Sequence, residues 1–181
     1  GRLTLTLVEA ENQPGSLKNQ VNDTVKAANT DNTAIKWTSG TKPVVLTGLP
    51  DGKYTLTETS APDGYLVTES IDFTIEDGLL KSDDENVDAE GGKVVMRDEV
   101  SKIKISKRDI NDTKELPGAT LKITQDEGET DLLGVKVEAA SGNPTVSAKE
   151  ITFVSGETET IITKLPDGKY TLTEITSPDG Y

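Results

Sequence analysis

The chain has 181 residues, and its 19 Lys and Arg against 32 Asp and Glu leave a formal net charge of −13. That balance disfavours nucleic acid and anionic membrane surfaces as partners. Cysteine and histidine are both absent, which removes disulfides, thiol nucleophiles, the usual zinc sites and Ser-His-Asp catalysis together. No cofactor or metal is expected, and no apolar run is long enough to span a bilayer.

Leu3-Thr4-Leu5-Thr6-Leu7 alternates cleanly and predicts a half-buried strand. A polar stretch rich in Asn, Gln, Asp and Lys follows to about Thr33; within it Val21–Asn29 alone has helical spacing, so the stretch reads as an insertion or a short helix over one edge. Ile35–Trp37 and Val44–Leu46 flank a Ser39-Gly40 turn signal and read as strands. Then comes Leu49-Pro50-Asp51-Gly52-Lys53-Tyr54-Thr55-Leu56-Thr57-Glu58, a Pro-Asp-Gly turn leading into a strand. It returns letter for letter as Leu165–Glu174, and both copies run on to a second Pro-Asp-Gly-Tyr at Pro62–Tyr65 and Pro178–Tyr181. Because side chains alternate, Tyr54, Leu56 and Glu58 share one face and Thr55 and Thr57 the other. A carboxylate is thus aimed at the apolar face, in both copies.

Leu66–Val67 and Ile71–Ile75 are further strand candidates, the latter ending at Asp77-Gly78. Ser82–Gly92 reads as an acidic loop, and Lys93–Asp98 as a strand with Val94, Met96 and Asp98 on one face. The second repeat opens with Lys102–Lys107, placing Ile103, Ile105 and Lys107 together, then a Leu116-Pro117-Gly118-Ala119 turn into Thr120–Thr124. Leu133–Val137, Ile151–Val154 and Thr160–Ile162 precede the second Pro-Asp-Gly unit. The expected domains are therefore 1–100 and 101–181, the first lacking its first strand and the second stopping before its last strands. Two registrations of the start are open. Either Leu3–Leu7 matches Leu121–Gln125, the second strand of the repeat, or Leu3–Val8 is the opening strand, with Pro14-Gly15 against Pro117-Gly118. In both, the first repeat has no lysine where the second has Lys107.

Lys107, Glu58, Glu174 and Asp98 each end an apolar alternation, and the alternation predicts that all four are mostly buried. Frayed, solvated strand ends would explain each singly, since charged residues are rarely buried unpaired. Gathered in one core, they would carry a large desolvation penalty. Low dielectric offers a way out, because it favours a neutral amine and a protonated acid. The amine can then attack the Asp carbonyl while Glu shuttles protons, leaving an uncharged amide.

Ile103–Asp109 through Leu116–Thr120, the two Tyr-Thr-Leu-Thr-Glu…Pro-Asp-Gly-Tyr stretches and Val94–Asp98 together resemble the start, middle and end of CnaB-type (SpaA-like) repeat domains of Gram-positive adhesins and pilins. They are similar to the fibronectin-binding-protein domain behind the SpyTag/SpyCatcher pair. The resemblance covers nearly the whole chain except Val21–Thr33. It implies an all-β fold of tandem inverse-Ig (transthyretin-like) β-sandwich modules carrying Lys–Asn/Asp isopeptide bonds promoted by Glu. Carried over by motif, Lys107 is the amine and Glu174 its catalytic partner, while Asp98 is the first repeat's acceptor beside Glu58. Neither repeat as it stands holds a complete set.

The expected function is a structural stalk segment of a wall-anchored extracellular adhesin or pilin, not an enzyme; any chemistry is a single self-crosslinking event. A competing expectation is a ligand-binding module in which Val21–Thr33 and Trp37 contact a host matrix protein, although so few aromatic residues hardly make a binding patch. The expected partners are neighbouring repeats of the same protein and, through strand exchange, other copies of the chain. The family's first and last strands lie parallel and adjacent, and parallel neighbours need a crossover of about a dozen residues or more. The link from Asp98 to Lys102 is too short for that, so Lys107 is expected to meet Asp98 and Glu58 of a different copy. Two decoys are set aside. Leu49-Pro50-Asp51-Gly52 is a turn rather than a sorting signal, and Asp83–Asp88 lacks the glycine and the bidentate Glu spacing of a calcium loop.

Overall fold

Alternating Leu and Thr build the first element. In the computed structural model, which describes residues 1–10 and 33–181, β1 spans Arg2–Ala10 and buries Leu5 and Leu7. It pairs antiparallel with β2 (Ala34–Thr38) on one side and β3 (Gly52–Ser60) on the other, setting Leu5 opposite both Ile35 and Leu56. Next to β3 runs β4 (Ile71–Glu76), which stacks Phe73 on Tyr54 with ring centroids 5.4 Å apart. Aromatic and β-branched pairs of this kind are what hold neighbouring strands in register. β5 (Leu79–Lys81) completes a five-stranded sheet in the order β2-β1-β3-β4-β5. A short ladder of β6 (Val87–Asp88) and β7 (Lys93–Val94) contributes Val87 and Val94, which pack on the same core with Val44, Leu46 and Met96.

The second half forms two sheets over one core. β9 (Thr120–Glu127), β11 (Ser141–Val146), β12 (Glu150–Val154) and β14 (Lys169–Thr176) make a four-stranded sheet in the order β11-β12-β9-β14. β8 (Lys102–Ile105), β10 (Lys136–Glu138) and β13 (Thr160–Thr163) make a three-stranded one, with β13 in the middle. Leu121, Ile123, Ile151 and Phe153 from the first sheet meet Ile162 from the second, with Ile105 and Val137 packed at the margin. Each fully buried side chain of this type is worth roughly 1.5–3 kcal/mol. Strands from two sheets sharing one apolar interior define a β-sandwich.

The chain divides into two compact units: Gly1–Pro62 with Val67–Glu99, and Asp63–Leu66 with Val100–Tyr181. Among the described residues all regular structure is strand. The all-β, tandem-sandwich expectation is met. Cross-strand register decides between the two alignments of the repeats. Leu3, Leu5 and Leu7 face Glu58, Leu56 and Tyr54, and Leu121, Ile123 and Gln125 face Glu174, Leu172 and Tyr170. β1 is therefore the counterpart of β9, and no described residue of the first unit forms a strand corresponding to β8.

Several segments depart from the strand pattern. Val44–Leu46 is irregular, whereas Thr160–Thr163, at the same place in the repeat, is a strand because β8 and β10 flank it. Lys93–Asp98 keeps strand pairing only over Lys93–Val94, where Val87 and Asp88 supply the ladder. Leu66–Val67 is irregular and about half exposed. Leu133–Val137 opens as a turn, the Asp131 carboxylate accepting the Leu133 N–H and the Leu132 carbonyl that of Val135, so pairing starts only at Lys136. The acidic loop is partly β6 and is organised by its own side chains: Asp84 accepts from Asn86, and Asp88 from Gly91. β5 and β11 lie outside the predicted pattern; Gly142-Asn143-Pro144 lies within β11, at a sheet edge with a register shift. Apart from Thr33, the Val21–Thr33 insertion lies outside the described residues.

Candidate functional site

One sequence, Tyr-Thr-Leu-Thr-Glu, sits in two surroundings. In β3 the strand is covered on both edges, by β1 and β4, so Leu56 is 7% exposed and Glu58 only 5%. Its carboxylate accepts the Thr68 N–H at 3.2 Å, and it fills the space beside Gly1, where a Cβ would collide with Oε1. Among the described residues β9 alone pairs with β14. Leu172 is consequently about half exposed, and the Glu174 side chain is 35% exposed. The expectation that both glutamates are buried thus holds for Glu58 and is corrected for Glu174, whose strand lacks the second neighbour that β4 gives β3.

Glu174 is where a charge partner is found. Lys107 Nζ lies 3.4 Å from Glu174 Oε1, with a quarter of the lysine side chain exposed. Lys107 follows β8 and is held from its backbone. Its N–H donates to Glu115 Oε2 at 3.0 Å, and its carbonyl accepts the Leu116 N–H at 2.7 Å. Glu115 also accepts from Ser106 Oγ at 2.5 Å and pairs with Arg108 at 3.3 Å. The Ser106 hydrogen bond first, then those from Arg108 and the Lys107 N–H, hold the Glu115 carboxyl below its ordinary range. Glu115 is a positioning residue that the sequence reading passed over. It sits in an irregular loop, where no periodicity marks it, and only the turn signal just after it at Leu116–Ala119 hinted at ordered structure.

Asp98 is half-buried beyond β7 on the first unit, after Val94 and Met96, which pack on that unit's core. Next to it Arg97 donates to Asn86 Oδ1 at 2.7 Å, and the Val95 N–H donates to the Asn86 carbonyl. Among the described residues no ion pair includes Asp98 or Glu58, and neither an Asp nor an Asn side chain contacts Lys107 Nζ. The arrangement therefore brings together the amine and one acid of the expected set in the second unit. The first unit keeps a buried acid, Glu58, and a half-buried one, Asp98. Among the described residues no group of three acidic side chains converges as a metal site would require. Trp37, the aromatic residue of the matrix-binding expectation, is half-buried against the first core rather than set in an exposed patch.

No curated protein and no solved structure matches the chain. A family model for the SpaA prealbumin-like fold domain matches residues 3–88 and again 101–181, one match in each repeat, and the chain belongs to that family.

Proposed function

We propose that this chain is a structural repeat segment of a wall-anchored adhesin or pilin on a Gram-positive surface, of the type stabilised by Lys–Asp/Asn isopeptide bonds. Tandem SpaA domains fit a pilin or adhesin repeat. The observation that carries the finer reading is the Lys107–Glu174 pair at 3.4 Å, at the end of an apolar alternation in such a domain. In this reading the Lys107 amine attacks the carboxyl or carboxamide carbon of an Asp or Asn supplied by another segment. Glu174 takes the amine proton and delivers it to the leaving water or ammonia. Asp98 is the acceptor of the first repeat, with Glu58 as its proton carrier. The chemistry occurs once per site and turns over no substrate.

Intact mass tests the covalent part. Each Lys–Asp amide removes one water from the sequence mass, and Lys107→Ala removes any bond that Lys107 makes. A chain at the unmodified mass, alone and after mixing with the segments that adjoin it in its parent protein, overturns the role of Lys107. The stalk reading is tested by pulling single molecules, where a segment crosslinked across its terminal strands extends far less than its contour length.

A further inference from the structure

The Pro-Asp-Gly-Tyr stretch that follows each Tyr-Thr-Leu-Thr-Glu strand has no part in the lysine chemistry. In the first repeat it crosses a structural boundary, because Pro62 belongs to the first unit and Asp63–Leu66 to the second. Within the second unit the segment is bound at three successive residues. The Thr130 hydroxyl donates to the Asp63 carboxylate. The Gly64 carbonyl accepts the Ser101 N–H at 2.8 Å, and Tyr65 forms an antiparallel bridge with Val100. The Lys164 ammonium lies over the Tyr65 ring, 5.3 Å from its centroid. Gly64 is buried against the Lys164 backbone with a φ of 82°, and a Cβ there would lie 3.0 Å from the Lys164 carbonyl oxygen.

Lys164 has a φ of 62°, a conformation uncommon outside glycine. The corresponding place in the first repeat, one residue before Leu49-Pro50-Asp51, is Gly48 with a φ of 69°. Glycine thus satisfies this turn, yet the second repeat carries a left-handed lysine. Such strain persists only where the surroundings fix it. Here Ser101 does so: its carbonyl accepts the Lys164 N–H at 3.0 Å, and its hydroxyl donates to the Leu165 carbonyl at 3.1 Å. One residue therefore holds both the lysine turn and Gly64.

We propose that Val100–Ser101 and Lys164–Leu165 form a docking surface for the Asp-Gly-Tyr segment of a preceding repeat, with Lys164 as its specificity-determining residue. The glycine admits the close backbone approach, the tyrosine ring takes the ammonium on its face, and the Ser101 N–H fixes the register. A segment with a side chain in place of the glycine, or without an aromatic ring after it, does not fit. The surface couples successive repeats through a motif that both repeats carry. This deepens the repeat reading and rests on it, but it needs no side-chain amide.

Chymotrypsin cleavage after Tyr65, followed by mass in the full chain, reports on release of the segment, since a protease samples the opened population. Lys164→Met should speed this nick roughly two- to fivefold, the size of one exposed cation–π contact, while Lys164→Arg and Tyr65→Phe should leave it unchanged. Lys164→Gly separates docking from turn geometry. It relieves the left-handed backbone, so a lysine with a purely structural role would give equal or slower cleavage, whereas docking predicts the same acceleration as Lys164→Met. Gly64→Val should expel the segment with the circular dichroism unchanged. A synthetic peptide of the Ala61–Val67 sequence, at millimolar concentration, should then shift the Ser101 and Lys164 amide resonances of the Gly64→Val chain. The same peptide carrying Gly64→Val should not. The proposal is overturned if Lys164→Met and Lys164→Gly are cut at the wild-type rate, or if the two peptides act alike. Neither result touches the stalk reading, which fails on intact mass or on extension under force.

Discussion

The Tyr54 hydroxyl donates to the Pro50 carbonyl at 2.5 Å, and Tyr170 repeats the bond on Pro166 at 2.6 Å. Each strand thereby pins the Pro-Asp-Gly turn that feeds it. Replacing Tyr54 by Phe leaves the ring stacked on Phe73 but strands the carbonyl, and should cost about 1 kcal/mol in urea unfolding. Tyr170→Phe should cost no more, because that side chain is only partly buried.

Burial first, and the nearby Asp51 charge second, push the Tyr54 pKa up to about 12. The folded state then holds this proton more tightly than the unfolded chain, whose tyrosine titrates near 10. Its contribution is fully present below pH 10 and is lost as pH rises toward about 12. Base unfolding followed by circular dichroism should fall steeply in that window, and Tyr54→Phe should flatten the fall. An equal slope in both proteins would remove Tyr54 as its cause.

Glu58 and Glu174 have identical local sequence, so their difference isolates context. Glu58→Ala deprives the part-buried Thr68 N–H of its acceptor and should cost roughly 1–3 kcal/mol. Glu174→Ala breaks a partly exposed ion pair and should change stability by less than about 1 kcal/mol. Chemical denaturation of both variants checks the ranking.

Ser155 and Ser39 occupy the same place in the two repeats. Ser155 is 4% exposed; its Oγ accepts the Ala119 N–H at 2.9 Å and donates to the Leu116 carbonyl at 2.7 Å. Ser39 is exposed and, among the described residues, bonds to Gly1 alone. Ser155→Ala should cost about 2 kcal/mol, since two buried groups lose a partner, while Ser39→Ala should be nearly neutral. Thermal melts of the two variants decide this.

Glu115 gives an acid-side test. Its carboxyl is held below the usual 4.5, chiefly by Ser106, so its contribution is present above that pH and is lost as pH falls through the lowered value. Glu115→Gln should lower stability at neutral pH by roughly 1 kcal/mol, discounted for exposure of its partners, and weaken the acid-side dependence. A variant with unchanged acid unfolding would show that the Ser106 and Arg108 contacts contribute nothing.

Where alternation and turn chemistry agreed, the fold was legible in the residues: β1, β3, β4, β9 and β12 lie where Leu-Thr, Tyr-Thr-Leu, Ile-Asp-Phe, Leu-Lys-Ile and Ile-Thr-Phe place them. Alternation says which face a side chain takes but not whether neighbours cover the strand. That is why Glu58 and Glu174 read alike and differ, and why Val44–Leu46 has the pattern of a strand without being one. Alternation put Lys107 and Glu174 each on an apolar face, and the family resemblance, not the alternation, paired them. Glu115 could not, because its role comes from a loop whose path no period encodes.

Pro144 bears on how the four-stranded sheet can grow. It stands in β11 at one edge, where it offers no N–H, and the register slips between Ser141 and Thr145 while Gly142 takes a φ of 71°. A newcomer strand finds no regular row of donors there. The opposite edge, β14, runs without proline from Lys169 to Thr176. Lateral extension of this sheet is thus barred at the β11 margin, whatever its other margin carries.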